Sequence, residues 1–256
     1  MKVVFLGVGE ACDETLPNTS LWVAAKVDGV KISMLFDCGF TVPSVYWQMT
    51  SDAEELDVIW ISHFHGDHFF GLPALLLRMY EMGRKKPLTI VGQADVEKIV
   101  QLAMELAYPN FTNKLTYPLE FIPVDTGQVI EVGGLQWKFA ENGHTQRSLA
   151  VRVNDCRNSV FYSGDGPPTN STQALAEGCD LVIHEAFRLR RPTPGHGTIH
   201  QCIDLARRAS VPYLALVHLQ RDERKERSQE ILRLINDVED IHILLPEPGD
   251  ELELGV

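Results

Sequence analysis

Nowhere in its 256 residues does the sequence approach the ~18 consecutive apolar residues of a membrane-crossing helix, so no such span is expected. Cysteine is scarce and poorly spaced for structural use. Cys12, Cys38, Cys156, Cys179 and Cys202 are odd in number, scattered and without a CxxC pair, which argues against a disulfide framework and a thiolate zinc site. A reducing, cytoplasmic setting is the expectation. The apolar run at residues 3–6 is interrupted by Gly9, Glu10 and Asp13, too early for the core of a secretory signal. Positive charge is also short: 23 Lys and Arg face 35 Asp and Glu, and a net charge of −12 opposes nonspecific binding to a polyanion. Two cationic clusters stand out against it. Arg84, Lys85 and Lys86 read as a solvated loop; Arg188, Arg190 and Arg191 read as a solvated loop or as a patch for a small anion. There is no linker, internal repeat or low-complexity tract. Ordinary globular usage, 45% hydrophobic and 23% charged, with this length suits one domain over residues 1–256.

What is present is α/β patterning. Apolar, β-rich runs bounded by turn residues occur at 3–6, 21–27, 32–36 and 58–61, the second and third flanking Asp28-Gly29, a strong hairpin signal. Helical spacing predicts helices over 73–82 and 94–107, and further strands fit 119–123, 135–140, 149–153 and 159–162. The second half alternates a strand at 181–183, a helix at 198–209, a strand at 213–217, a charged helix near 226–238 and a strand at 241–245. Two β-rich stretches with interspersed helices give an α/β class in which two sheets are possible. Gly7-Val8-Gly9 is too short for a phosphate loop and reads as a tight turn.

Chemistry concentrates in Ile61-Ser62-His63-Phe64-His65-Gly66-Asp67-His68, between a buried-looking strand and a helix. Three of the chain's 9 histidines fall within six positions. Neutral imidazole and carboxylate are good ligands for zinc and similar divalent ions, and a strand end lets alternate side chains converge. HxHxDH offers four potential ligands where a mononuclear site needs three, which points to a second ion if others arrive from downstream. His144, Asp165 and His218, each at a loop-like strand end, supply that coordination. Asp37 and Asp57 are candidates for fixing the imidazoles from behind, since metal-bound histidines usually donate their other N–H to a carboxylate or carbonyl; Asp57 also reads as a simple strand start. His184, ending an apolar strand, reads as a hydrogen-bonded structural histidine.

These residues, together with Asn18-Thr19-Ser20, Leu35-Phe36-Asp37-Cys38-Gly39, Gly71-Leu72-Pro73, Lys114-Leu115-Thr116-Tyr117-Pro118-Leu119, Ser163-Gly164-Asp165, His184-Glu185-Ala186 and Gly195-His196-Gly197-Thr198, resemble the metallo-β-lactamase superfamily, in its ribonuclease Z-like branch and its short phosphodiesterase relatives. The resemblance implies an αββα sandwich with a two-metal centre at one edge of the paired sheets. One ion would take His63, His65 and His144, the other Asp67, His68 and His218, with Asp165 bridging. The ions would be zinc foremost, with manganese or iron as alternatives, and a hydroxide between them would be the nucleophile. Asp67 could orient it as a base. His196 and Glu185 match positions that contact the scissile phosphate and leaving group, a carboxylate-oriented imidazole being a suitable general acid.

The sequence departs from ribonuclease Z where that branch carries a tRNA-binding arm. Only 21 positions separate His144 from Asp165, filled by two strands and a turn. Leu219-Gln220-Arg221-Asp222 replaces the usual Phe-Ser-x-Arg-Tyr, and Phe187 stands where threonine is typical. The leading expectation is therefore metal-dependent hydrolysis of a small phosphodiester or related anionic ester, with Arg188, Arg190 and Arg191 as substrate contacts. The alternatives are a tRNA 3′-end endonuclease, another esterase of this fold, and a metal-binding partner protein without turnover. No membrane partner is expected, RNA is disfavoured, and a homodimer fits the branch.

Overall fold

The computed structural model describes residues 1–255. The chain builds its first sheet from β1 (Lys2–Gly7), β2 (Ser20–Val27), β3 (Val30–Phe36), β4 (Val58–Ile61), β5 (Leu88–Gln93) and β6 (Leu119–Val124). It then builds the second from β7 (Val129–Val132), β8 (Leu135–Glu141), β9 (Leu149–Asn154), β10 (Ser159–Tyr162), β11 (Leu181–Glu185), β12 (Tyr213–Val217) and β13 (His242–Leu244), before β14 (Glu251–Glu253) returns to pair with β1. Each sheet has seven strands. Antiparallel hairpins open both, and the later strands, β3 to β6 and β10 to β13, run parallel. Parallel strands need crossovers, which α1 (Val42–Met49), α2 (Gly66–Phe69), α3 (Leu72–Glu81) and α4 (Val96–Ala107) supply in the first half, and α5 (Asn170–Ala176), α6 (Ile199–Arg208), α7 (Arg221–Glu226) and α8 (Ser228–Asn236) in the second.

Alternation along the strands decides the layering. In β4, Val58 and Trp60 enter the core between the sheets while Ile59 and Ile61 enter the core under the first-half helices. In β12, Ala215 and Val217 face the other sheet while Leu214 and Leu216 face α6 and α8. Strands buried on both faces read as continuous apolar runs, which is why no hydrophobic-polar alternation marks them. Trp60 stacks on Phe139 across the sheets at 5.1 Å. The result is the αββα sandwich.

Most elements lie where the residue pattern put them. The β2–β3 turn is Asp28-Gly29, both with positive φ, as a two-residue hairpin requires. The charged helix near 226–238 is instead α7 and α8, broken at Arg227. Nor is the segment at Gly7–Gly9 a tight turn. It runs between Asn18 and Leu219, with Gly9 bridging both, and a Cβ on Gly7 would meet the Asn18 carbonyl oxygen at 2.1 Å. Arg84 is no solvated cation: it is fully buried, donating to the carbonyls of Ala53, Leu56, Lys86 and Pro87.

Candidate metal centre

Because the parallel strands share a direction, their C-terminal ends share an edge, where backbone turns leave side chains free to converge. Asp37 follows β3, His63 and His65 follow β4, His144 follows β8, Asp165 follows β10, Glu185 ends β11 and His218 follows β12. The structure brings all seven ligand candidates together. Ligand atoms of His63, His65, His144 and Asp165 form one group, and those of Asp67, His68, Asp165 and His218 a second, each within 4.8 Å. Asp165 belongs to both: its Oδ2 lies 3.9 Å from His63 Nε2, and its Oδ1 lies 3.2 Å from His68 Nε2 and 3.5 Å from His218 Nε2. His144 Nε2 is 3.1 Å from His65 Nδ1, and His218 Nε2 is 3.2 Å from Asp67 Oδ2.

Local backbone makes this convergence possible. His218 (φ 57°) and Asp37 (φ 58°) are non-glycine residues in the left-handed region, which turns each side chain sharply out of its strand end. The His218 N–H is held by the Val8 carbonyl, so the glycine-flanked segment after β1 sets the position of a ligand far away in sequence. Gly39 allows the Asp67 loop to close in, since a Cβ there would stand 1.9 Å from the Asp67 carbonyl oxygen.

Hydrogen bonds fix which imidazole nitrogen faces the cluster. Asp37, fully buried, accepts from His68 Nδ1 (2.7 Å), the Tyr162 hydroxyl (2.7 Å), the Ser62 hydroxyl (2.7 Å) and the Ser62 N–H (2.8 Å). The Ser62 oxygen, its proton committed to Asp37, accepts from His63 Nδ1 at 3.0 Å. His144 Nδ1 donates to the Gly195 carbonyl at 2.6 Å. Each ring's Nε2 lone pair is thereby turned inward. Asp57 does not share this role: its carboxylate accepts from the Ser33 N–H and pairs with Lys86 at 2.7 Å, making it the strand-start residue. Ser62 and Tyr162 were not among the residues singled out in the sequence. Ser62, adjacent to HxHxDH, was visible there; Tyr162 reaches Asp37 from the opposite sheet and carried no local signal.

The electrostatics are those of a cation site. Burial disfavours charge on Asp165 and Asp67, but His218 and His68 beside them outweigh burial and hold both carboxyls below their usual range. Burial likewise opposes charging His68 and His218, yet Asp165 and the neighbouring carboxylates raise both, His218 to about 9. His63 is pushed down by burial and by His68. His63 Nε2 and Asp165 Oδ1 are buried and lack hydrogen-bond partners. Lone pairs converging from five imidazoles and two carboxylates, two of them orphaned, fit divalent ions.

Beside the second group, His196 stands 5.0 Å from His144 and 5.9 Å from His218, ring to ring. The carboxylate expected to fix its imidazole is otherwise engaged. Glu185 accepts from the N–H groups of Gly166 (3.0 Å), Gly197 (2.7 Å) and Phe187 (3.0 Å), and lies 3.5 Å from His196 Nδ1, which has no hydrogen bond. Glu185 thus ties three backbone segments together. Among the arginines, Arg188 pairs with Glu223 at 3.3 Å and Arg190 with Glu230 at 3.7 Å, while Arg191 is exposed. His184 is buried with Nδ1 on the Glu185 carbonyl, the structural role its position suggested.

Comparison with known proteins bears on the family and the fold. Residues 1–239 match the family model described as anti-Pycsar protein Apyc1. The chain is 28% identical over 295 aligned positions to ribonuclease Z of Methanothermobacter thermautotrophicus, covering 94% of each. It superposes on the metallo-β-lactamase fold protein YhfI from Bacillus subtilis (TM-score 0.75, 23% identity, 98% of this chain and 99% of that one). It also superposes on the human tRNase Z short form, ELAC1 (TM-score 0.78, 23% identity, all of both chains), and both likenesses bear on the fold. With the αββα sandwich of the metallo-β-lactamase fold, HxHxDH at the end of β4, a family match over residues 1–239 and 33% identity to ribonuclease Z of Methanosarcina acetivorans over 86% of this chain and 87% of that one, this chain belongs to the family of the anti-Pycsar protein Apyc1, in its ribonuclease Z-like branch.

Proposed function

We propose that this metal-dependent hydrolase cleaves a small phosphodiester. His63, His65 and His144 would hold one divalent ion and Asp67, His68 and His218 the other, with zinc the leading identity and Asp165 shared between them. The observation that carries the reading is Asp165, whose two oxygens face the two ligand groups separately. A pair of ions there supplies Lewis acidity toward phosphoryl oxygens and a nucleophile at neutral pH. Hydrolysis then adds one water across one P–O bond. The water oxygen bonds to phosphorus and gives a proton to the Asp67 carboxylate, which lies in the second ligand group. The leaving oxygen departs with the bonding pair and takes a proton from His196.

A small substrate is favoured over a long nucleic acid by three features. Net charge is −12, and Arg188 and Arg190 are already paired with carboxylates. The alignment to ribonuclease Z runs over 295 positions against 256 residues here, so that relative carries residues with no counterpart in this chain. Between His144 and Asp165 the chain spends its residues on β9 and β10, a closed antiparallel pair. Processing of tRNA 3′ ends is the second reading, favoured by the names of the curated relatives. Kinetics on bis(4-nitrophenyl) phosphate, a cyclic nucleotide and precursor tRNA at physiological salt separate the two. Turnover of the small diesters with little cutting of precursor tRNA is expected, and efficient site-specific cutting of the tRNA alone would reverse the order.

A further inference from the structure

We infer that Phe187 is the residue that positions the His196 imidazole, by ring stacking where a carboxylate hydrogen bond would be expected. This rests on the role of His196 proposed above. The two rings lie 4.4 Å apart with an interplanar angle of 24°, a closer approach than His196 makes to the ring of His144 or His218. No hydrogen bond holds His196 Nδ1, and the Glu185 oxygen nearest to it already accepts from Gly166 and Gly197. The imidazole plane is therefore set by what lies against its faces and edges.

Phe187 is built to be that surface. It leaves β11 two residues after Glu185, its N–H donates to Glu185 Oε2 at 3.0 Å, and its carbonyl accepts from the Gln220 N–H at 3.0 Å. The Arg188 guanidinium lies 5.5 Å from its ring centroid and is anchored in turn by Glu223. Phe187 also reaches His218, 6.2 Å away at 38°, so one aromatic side chain borders both the proposed acid and a proposed metal ligand. Threonine, with neither ring nor reach, could not supply this face. Aromatic pairs at such distances contribute beyond their buried area and restrict orientation, and a small misplacement of a reacting group can cost on the order of 100-fold in rate.

The reaction in question breaks a P–O bond, leaves the electron pair on the departing oxygen and moves a proton to it from His196. A loosely held imidazole should matter most when that oxygen is a poor leaving group. The test uses metal-loaded wild type, Phe187→Leu, Phe187→Tyr and His196→Ala on bis(4-nitrophenyl) phosphate and on diphenyl phosphate, whose phenoxide is the more basic leaving group. Phe187→Leu should lose about 10–100-fold in kcat on diphenyl phosphate, yet stay within about threefold on the nitrophenyl ester. Phe187→Tyr should stay within about threefold on both, and all variants should retain wild-type metal content. Equal losses on the two esters in Phe187→Leu, loss of metal, or a tyrosine variant as impaired as the leucine one would overturn the inference. If His196→Ala itself shows no leaving-group dependence, the proposed acid is wrong and the inference fails with it; normal dependence there with none in Phe187→Leu sinks the inference alone.

Discussion

Replacing Asp37 with asparagine tests whether the hydrogen-bond network behind the cluster sets its affinity for metal. Oδ2 of Asp37 accepts from His68 Nδ1, Ser62 Oγ and Tyr162 OH, and Oδ1 accepts from the Ser62 N–H. An amide cannot serve both sides. With its NH2 on the Oδ2 side, the hydroxyls of Ser62 and Tyr162 can rotate to accept, but His68 must move its proton to Nε2, removing the lone pair it turns toward Asp165. With the NH2 on the Oδ1 side, two buried donors oppose each other at Ser62, next to His63. Either outcome weakens a ligand without removing one. Changes of this kind typically cost 10–100-fold in metal affinity, about 1.4–2.7 kcal/mol. Competition against a chelator of known affinity should show that loss in one or both metal equivalents of Asp37→Asn. Two equivalents bound as tightly as in wild type would refute the reasoning.

Asp67→Ala and His68→Ala should abolish turnover while far-UV circular dichroism stays near wild type, because the sandwich is held by its apolar cores and not by the cluster; a variant with substantial activity would remove that residue from the site. In the chelated protein, His68 and His218 have raised pKa values, so their contribution is complete below the unfolded histidine value near 6.5 and is lost as pH rises through about 9. Its melting temperature should fall from pH 7 to pH 9, and the stabilisation gained on adding metal should grow over that window, since bound ligands must be deprotonated; a flat profile in chelator would contradict the assigned shifts. Gly39→Ala should cost about 1–3 kcal/mol in denaturant unfolding, since its Cβ would stand 1.9 Å from the Asp67 carbonyl oxygen, and should weaken metal binding with it.

Legibility in the sequence followed locality. HxHxDH is one contiguous signal at the end of an apolar strand, so its role can be read from spacing; His144, Asp165 and His218 are legible from their loop-like strand ends, and the resemblance divides the set between two ions. The second tier was legible only in part. Asp37 lies in a motif, but Tyr162 meets it from 125 positions away across two sheets, a contact no local pattern encodes. Glu185 is legible as a residue beside His196, whereas its three backbone N–H partners are not, because backbone groups leave no mark in sequence. Among the elements, α5 carries little helical signal: Thr169, Asn170, Ser171 and Thr172 have the composition of a turn, yet Thr169 and Thr172 form a reciprocal capping box that starts a helix. The β5 run Leu88–Gln93 is apolar and β-rich, a strand absent from the sequence expectations above, and α1, α2, β7 and β14 are short elements that tertiary packing selects.

The central claim, two ions sharing Asp165 in a diesterase, is tested most directly by titrating zinc into chelated protein while following bound metal and hydrolysis of bis(4-nitrophenyl) phosphate in the same samples. Activity should be absent in chelator and saturate at about two bound equivalents per chain. Asp165→Ala should bind no more than about one equivalent tightly, with little turnover. Full activity at one equivalent, or unchanged activity in chelator, would contradict the account.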